Sequence, residues 1–232
     1  MSARWTDWLA QIQATDVPAL PHVTLGQVWL HLGWSVVLAC IGAGLVGRWM
    51  SAPAGKLDGR QWGVALVLAL WAWLPGPYSP AYWLGLAFQA PSIATVLLCD
   101  SLLRTRFFST RSAMPSSAVP HPATLAFAVT GLLFGWALLL DTFALLPFQL
   151  YAWGFSSAAV AGVLAVALLP WVVVSTPHSA RSMRLWIAPV AVVVFVVSRL
   201  PSGNVWDAVL DPWLWLALHV YLARAVWRRL RR

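Results

Sequence analysis

Seven long apolar runs, separated by short polar connections, set the pattern of this chain. They cover about residues 25–47, 61–74, 80–103, 123–140, 150–174, 185–197 and 212–227. Runs of roughly 14–23 mostly apolar residues predict membrane helices and not the elements of one soluble core. The expected fold is all-α: a polytopic integral membrane helix bundle of about seven transmembrane helices. It divides into an interfacial N-terminal segment (1–24), the seven-helix transmembrane domain (25–227) and a basic tail (228–232).

The punctuation between runs fits helix ends. Asp211-Pro212 and Ser79-Pro80 each place a capping side chain before a proline at the first helical position, where the missing N–H costs nothing. Thr24 with Gln27 resembles a capping box launching the first span. Pro91, near the middle of the third run, predicts a kink. Leu74-Pro75, Leu146-Pro147 and Leu200-Pro201 recur near the outer turns, which is read as shared turn chemistry and not as an internal repeat. Trp5, Trp8, Leu9 and Ile12 recur at helical spacing, as in a short helix lying in the membrane interface.

Small residues predict the packing faces. Gln27, His31, Ser35, Ala39, Ala43 and Gly47 follow one another at i+4 along the first run, a ridge on which a second helix can approach closely. The fifth run carries Gly154, Ala158 and Gly162, with Ser157, Ala161 and Ala165 on the neighbouring row, and is expected at the centre of the bundle.

Composition agrees with the pattern. Of 232 residues 60% are hydrophobic and 9% charged, against about 25% charged in a soluble domain; the mean hydropathy is +0.74. The net charge of +8 reads differently once it is placed along the chain. Thirteen basic residues fall in the connections on one side and only Arg4 and Arg199 on the other. Short clusters of this kind orient helices and meet anionic lipid; no basic stripe lies on a soluble module, so nucleic acid is not an expected partner. The positive-inside rule then puts the N-terminus outside and the C-terminus in the cytoplasm, and the localisation is the bacterial inner membrane, multi-pass. The 17 tryptophans flank many spans as an aromatic belt does. Cys40 and Cys99 both fall inside apolar runs, as small packing residues.

Candidate chemistry is sparse. The seven acidic residues are all aspartates, and no nucleophile elbow, zinc-protease, CxxC or phosphate-loop motif is present. His31 and His219 lie within spans, both about 10–12 Å below the outer surface at 1.5 Å rise per residue. Two imidazoles at one level could hold a b-type haem or a metal ion; the competing reading is hydrogen bonding within the bundle. Asp141, Gln149 and Asp207 gather with Asn204 and Asp211 at the outer rim, either as a polar mouth for a substrate or partner or as caps and solvated turns. Gln89 beside Pro91 could mark a broken-helix binding site. Asp100 and Arg104, at i+4, read as an ion pair.

The function expected from this scarcity is non-catalytic: a subunit, assembly or scaffold partner of a larger membrane complex, in contact with lipid and with a membrane-protein partner or a second copy. The alternatives are a small transporter or channel using Gln89, His31 and His219, and a haem- or metal-binding redox or lipid-processing enzyme facing outward.

Overall fold

The computed structural model describes residues 18–49, 58–108, 122–173 and 183–231. The interfacial helix expected before residue 18 lies outside the described residues, as do residues 109–121. The described chain is all-α, with ten helices. They are α1 (Val23–Trp49), α2 (Gly59–Trp71), α3 (Pro80–Phe88), α4 (Ile93–Phe108) and α5 (Pro122–Thr142). They continue as α6 (Leu150–Trp153), α7 (Ser157–Val173), α8 (Ile187–Ser198), α9 (Val205–Val209) and α10 (Pro212–Leu230).

Each apolar run contains helix but, against the expectation, the runs do not form seven continuous helices long enough to span. Among the described residues two helices are long and apolar enough to cross a membrane by length and composition, Val23–Trp49 and Thr124–Thr142. The third run is broken outright between Phe88 and Ile93, not kinked. The fifth is divided at Gly154–Ser156 into α6 and α7. The second and sixth hold helices of 13 and 12 residues. Apolar composition persists through such interruptions because Ala, Pro and Gly are no more polar than their neighbours, so a run can outlast the helix inside it.

The middle of the α1 ridge packs as its spacing predicts, while Gln27 at its head is exposed. Ser35, Ala39 and Ala43 are buried. Ser35 Oγ donates to the Ala69 carbonyl of α2 at 3.0 Å, and Gln61 Nε2 donates to the Ala43 carbonyl at 3.3 Å. The helix starts two residues earlier than the capping-box reading required, so Thr24 stands inside its first turn. A capping box does occur on α2: Asp58 accepts from Gln61 N at 2.9 Å while Gln61 Oε1 accepts from Asp58 N at 3.0 Å. On α5, Gly131 and Gly135 leave room for Leu218 and Trp215 of α10, and Trp215 Nε1 reaches the Leu132 carbonyl at 3.2 Å.

The fifth run is not the centre. Ala161, Gly162 and Ala165 of α7 are exposed, and a side chain added at Gly162 would meet nothing. The largest buried cluster lies where α4, α8 and α9 meet, around Ile93, Ala191, Phe195, Val205 and Ala208. Small residues permit close approach but do not create it, and bulkier α8 supplies the apolar contact area here.

Candidate functional site

The break between α3 and α4 organises the polar side of the molecule. Proline at position 91 cannot donate to a helical carbonyl, so the chain leaves helix at Gln89 with φ 62 and ψ −160. The carbonyls exposed there are taken up by tryptophans of α1. Trp34 Nε1 donates to Gln89 O at 3.0 Å and Trp29 Nε1 to Pro91 O at 3.0 Å. Gly33 lies between them in sequence, and a β-carbon there would strike the Pro91 ring. The helix restarts at Ser92, whose fully buried hydroxyl accepts from Thr95 N at 3.0 Å.

Asp211 joins this restart to the last helix. Its Oδ1 accepts from Leu214 N at 2.7 Å, capping α10, and its Oδ2 accepts from Ser92 N at 2.7 Å. One buried carboxylate thus serves two helix N-termini from positions 119 residues apart, and both partial positive ends favour its charge.

Beside it, the turns after α5 and α8 are tied together through Tyr151. Asp141 Oδ2 accepts from Tyr151 N at 2.7 Å, and the Tyr151 hydroxyl donates to Asp207 Oδ2 at 2.7 Å. Ser202 Oγ donates to the same oxygen at 2.5 Å. Asn204, fully buried, caps α9 through Trp206 N at 3.0 Å and donates to Tyr151 O at 2.9 Å. Trp206 Nε1 adds a bond to Leu150 O at 3.0 Å. Partial burial, then the Asp207 carboxylate, push the Tyr151 phenol well above its ordinary 10.0, so it stays a donor at neutral pH.

Two clefts open on this network. One, of about 300 Å³, is lined by Phe88, Gln89, Tyr151, Asp207, Asp211 and Pro212 among others. The other, of about 720 Å³, is more open and lies along Asp141, Pro147, Phe148, Gln149 and Tyr151. The structure therefore brings Gln89 and Asp207 to one wall system and Asp141 and Gln149 to the next, with Tyr151 common to both. Gln149 precedes α6 but its side chain does not cap it.

The two histidines are not brought to a common feature. His31 faces Trp73, ring centroids 5.7 Å apart, and its Nδ1 lies 3.0 Å from the Gln27 carbonyl. His219 sits at 4.5 Å from the Trp215 ring and 6.1 Å from that of Trp136, with Nδ1 2.9 Å from the Trp215 carbonyl. A haem held by both imidazoles needs its flat macrocycle between them. The rings are instead packed on indoles belonging to different helix pairs, α1 with the end of α2 and α10 with α5, so the residues present do not fit that group. Among the described residues no three His, Cys, Asp or Glu side chains converge as a metal site.

Three participants escaped the sequence reading. Tyr151 and Ser202 had no local motif to mark them, since their partner Asp207 is 56 and five residues away. Asp58 did carry one: Asp-Gly-Arg-Gln is a capping-box spacing at the start of α2. The Asp100–Arg104 pair forms at 2.7 Å but is exposed, and contributes at most about 1 kcal/mol. Comparison with models of protein families, with curated proteins and with solved structures finds no match for this chain.

Proposed function

We propose that this protein is a multi-pass helical protein of the bacterial inner membrane that acts as a non-catalytic partner within a larger membrane assembly. The membrane part of the reading is supported by an inverted distribution of side chains. Asn204, Ser79, Ser92, Ser156 and Asp211 are buried and hydrogen-bonded inside. Leu45, Leu66, Val67, Leu86, Leu133 and Val197 are exposed on helix flanks. The core helix of a soluble protein is mostly buried, whereas the apolar windows of α1 and α5 are 39% and 11% buried. In this reading seven segments cross: α1, α2, the α3–α4 pair, α5, α7, α8 and α10. The break in the third is tolerated because it is enclosed by protein and its carbonyls are satisfied by Trp29 and Trp34. The short α2 and α8 are completed by local thinning or by association. Charge bias orients the bundle with its C-terminus inside.

The partner role is carried by one observation, the unoccupied small-residue face of α7. Ala161 and Ala165 at i+4, with Gly162 beside them, offer the close backbone approach that drives helix association in lipid, and among the described residues no helix packs on it. Affinity purification from mild detergent tests this. We expect a stoichiometric membrane partner or a second copy, lost in Gly162→Leu while the melting temperature is kept. A wild-type protein that runs as a stable monomer without a partner, and alone carries a solute into liposomes, refutes the reading in favour of a transporter.

A further inference from the structure

The chain has two cysteines, far apart in sequence, and the fold brings them together. The Cys40 thiol of α1 and the Cys99 thiol of α4 are hydrogen-bonded to each other, with no disulfide between them. The packing of the two helices agrees with this meeting. Cys99 lies on the apolar cluster that holds Trp34 and Val37 of α1, and Cys40 follows Val37 at i+3 on the same face. Leu103, at i+4 from Cys99, lies on the next cluster along α1, that of Ala39 and Ala43. Both thiols are half-buried, and neither takes part in the helix break or in the clefts beside it.

Two thiols in contact can hold a soft metal ion or form a disulfide, and the surroundings choose between these. A zinc-type site takes four ligands, and among the described residues no third His, Cys, Asp or Glu joins the pair. A cuprous ion on two thiolates would leave a net negative charge among Trp34, Val37, Leu38 and Leu84, which is costly in an apolar place. A disulfide replaces two neutral thiols by one neutral group and buries no charge. The depth of the pair then selects the oxidant. Cys40 stands eight residues before Arg48 and Cys99 five before Arg104, so both lie about 8–12 Å from the basic end of the bundle at 1.5 Å rise per residue. A charged oxidant is kept out of such a place, whereas a small neutral one enters.

We propose that Cys40 and Cys99 are a redox pair that hydrogen peroxide converts into a disulfide, stapling α1 to α4. One sulfur attacks a peroxide oxygen, the O–O bond breaks, and a sulfenic acid and one water result. The second sulfur displaces the sulfenic hydroxyl, which leaves as a second water with the remaining thiol proton. The two sulfurs together give up two electrons and the peroxide takes them. A small dithiol reverses the step by thiol–disulfide exchange. The staple joins the same helix pair that Trp29 and Trp34 hold at the break, about two turns further along α4, so oxidation fixes α1 on α4 in its present register. The choice of a neutral oxidant rests on the membrane reading; the pairing of the thiols does not.

The test uses the purified full chain, whose two cysteines make the readout unambiguous. In detergent micelles hydrogen peroxide should lower the intact mass by two hydrogens and remove both maleimide-reactive thiols together, and dithiothreitol should restore them. Cys40→Ala and Cys99→Ala should instead stop at a sulfenic acid trapped by dimedone, because the resolving sulfur is gone. Hydrogen exchange in α1 and α4 should slow in the oxidised wild type and not in peroxide-treated Cys40→Ala. In liposomes hydrogen peroxide should still form the disulfide while charged glutathione disulfide leaves the pair reduced. Acid-quenched cells exposed to peroxide should contain the intrachain disulfide. Oxygen gained separately at each cysteine in micelles, disulfides between chains, or a pair that stays reduced in peroxide-treated cells overturns the proposal. Failure in micelles sinks the pairing itself; equal action of glutathione disulfide in liposomes sinks the depth that the membrane reading supplies.

Discussion

Tryptophan explains more of this fold than its belt positions do. Trp29, Trp34, Trp206 and Trp215 each donate an indole N–H to a backbone carbonyl more than 50 residues away. In an apolar surrounding a carbonyl without a donor costs several kcal/mol, and every helix break produces such carbonyls. Trp34, only 2% exposed, is the clearest case because its partner Gln89 O sits at the break itself. Trp34→Phe keeps the aromatic bulk and removes the donor, so it should destabilise by about 1–3 kcal/mol, read as a lowered unfolding midpoint in micelles. An equal midpoint would mean that water already satisfies Gln89 O. The count of 17 tryptophans was plain in the sequence. Their acceptors were not, because an indole reaches across helices to carbonyls that no side-chain identity marks.

At the scale of elements, the breaks and caps decide the architecture. α4 and α10 begin side by side because Asp211 accepts from Ser92 N and Leu214 N, two donors that would otherwise be orphans in a buried place. Asp211→Ala removes a cap worth about 1 kcal/mol and strands the Ser92 N–H for about 1–3 more, a loss of roughly 2–4 kcal/mol in total. Asp211→Asn keeps one oxygen and should lose less. Thermal unfolding of both variants checks the order; equal losses would show that charge, not acceptor count, is what the two helix ends require. The capping half of this was legible, since Asp-Pro before an apolar run announces a helix start. The second bond was not, because its donor lies 119 residues away. The same limit applies to the clefts: Gln89, Asp141, Gln149 and Asp207 were picked out one by one as polar residues at run ends, while their sorting into two adjacent clefts around Tyr151 is a product of packing.

For the whole molecule, the arginine distribution makes the sharpest prediction. Arg224, Arg228, Arg229 and Arg231 stand on the last turns of α10 and just past it, with the Arg231 guanidinium over the Trp227 ring at 4.5 Å. In the proposed orientation this cluster stays on the cytoplasmic side, against anionic lipid. A tag after residue 232 should be shielded from impermeant reagents in intact cells and reached in inverted vesicles; labelling in intact cells would reverse the orientation.

The helical class, the approximate extent of each apolar run, the small-residue ridge on α1 as a packing face and the cap at Asp211 came from sequence alone. They are local, set by periodicity, side-chain size and capping groups within one or two turns. Only the tertiary structure decided that the third run is two helices, that α7 lies at the edge with its small face open, that His31 and His219 keep separate neighbours, and that Gln89 and Asp207 share a cleft. Each of these turns on which distant group supplies a hydrogen bond or a contact, and in a bundle of similar apolar helices that choice is made by the whole packing and not by any one segment.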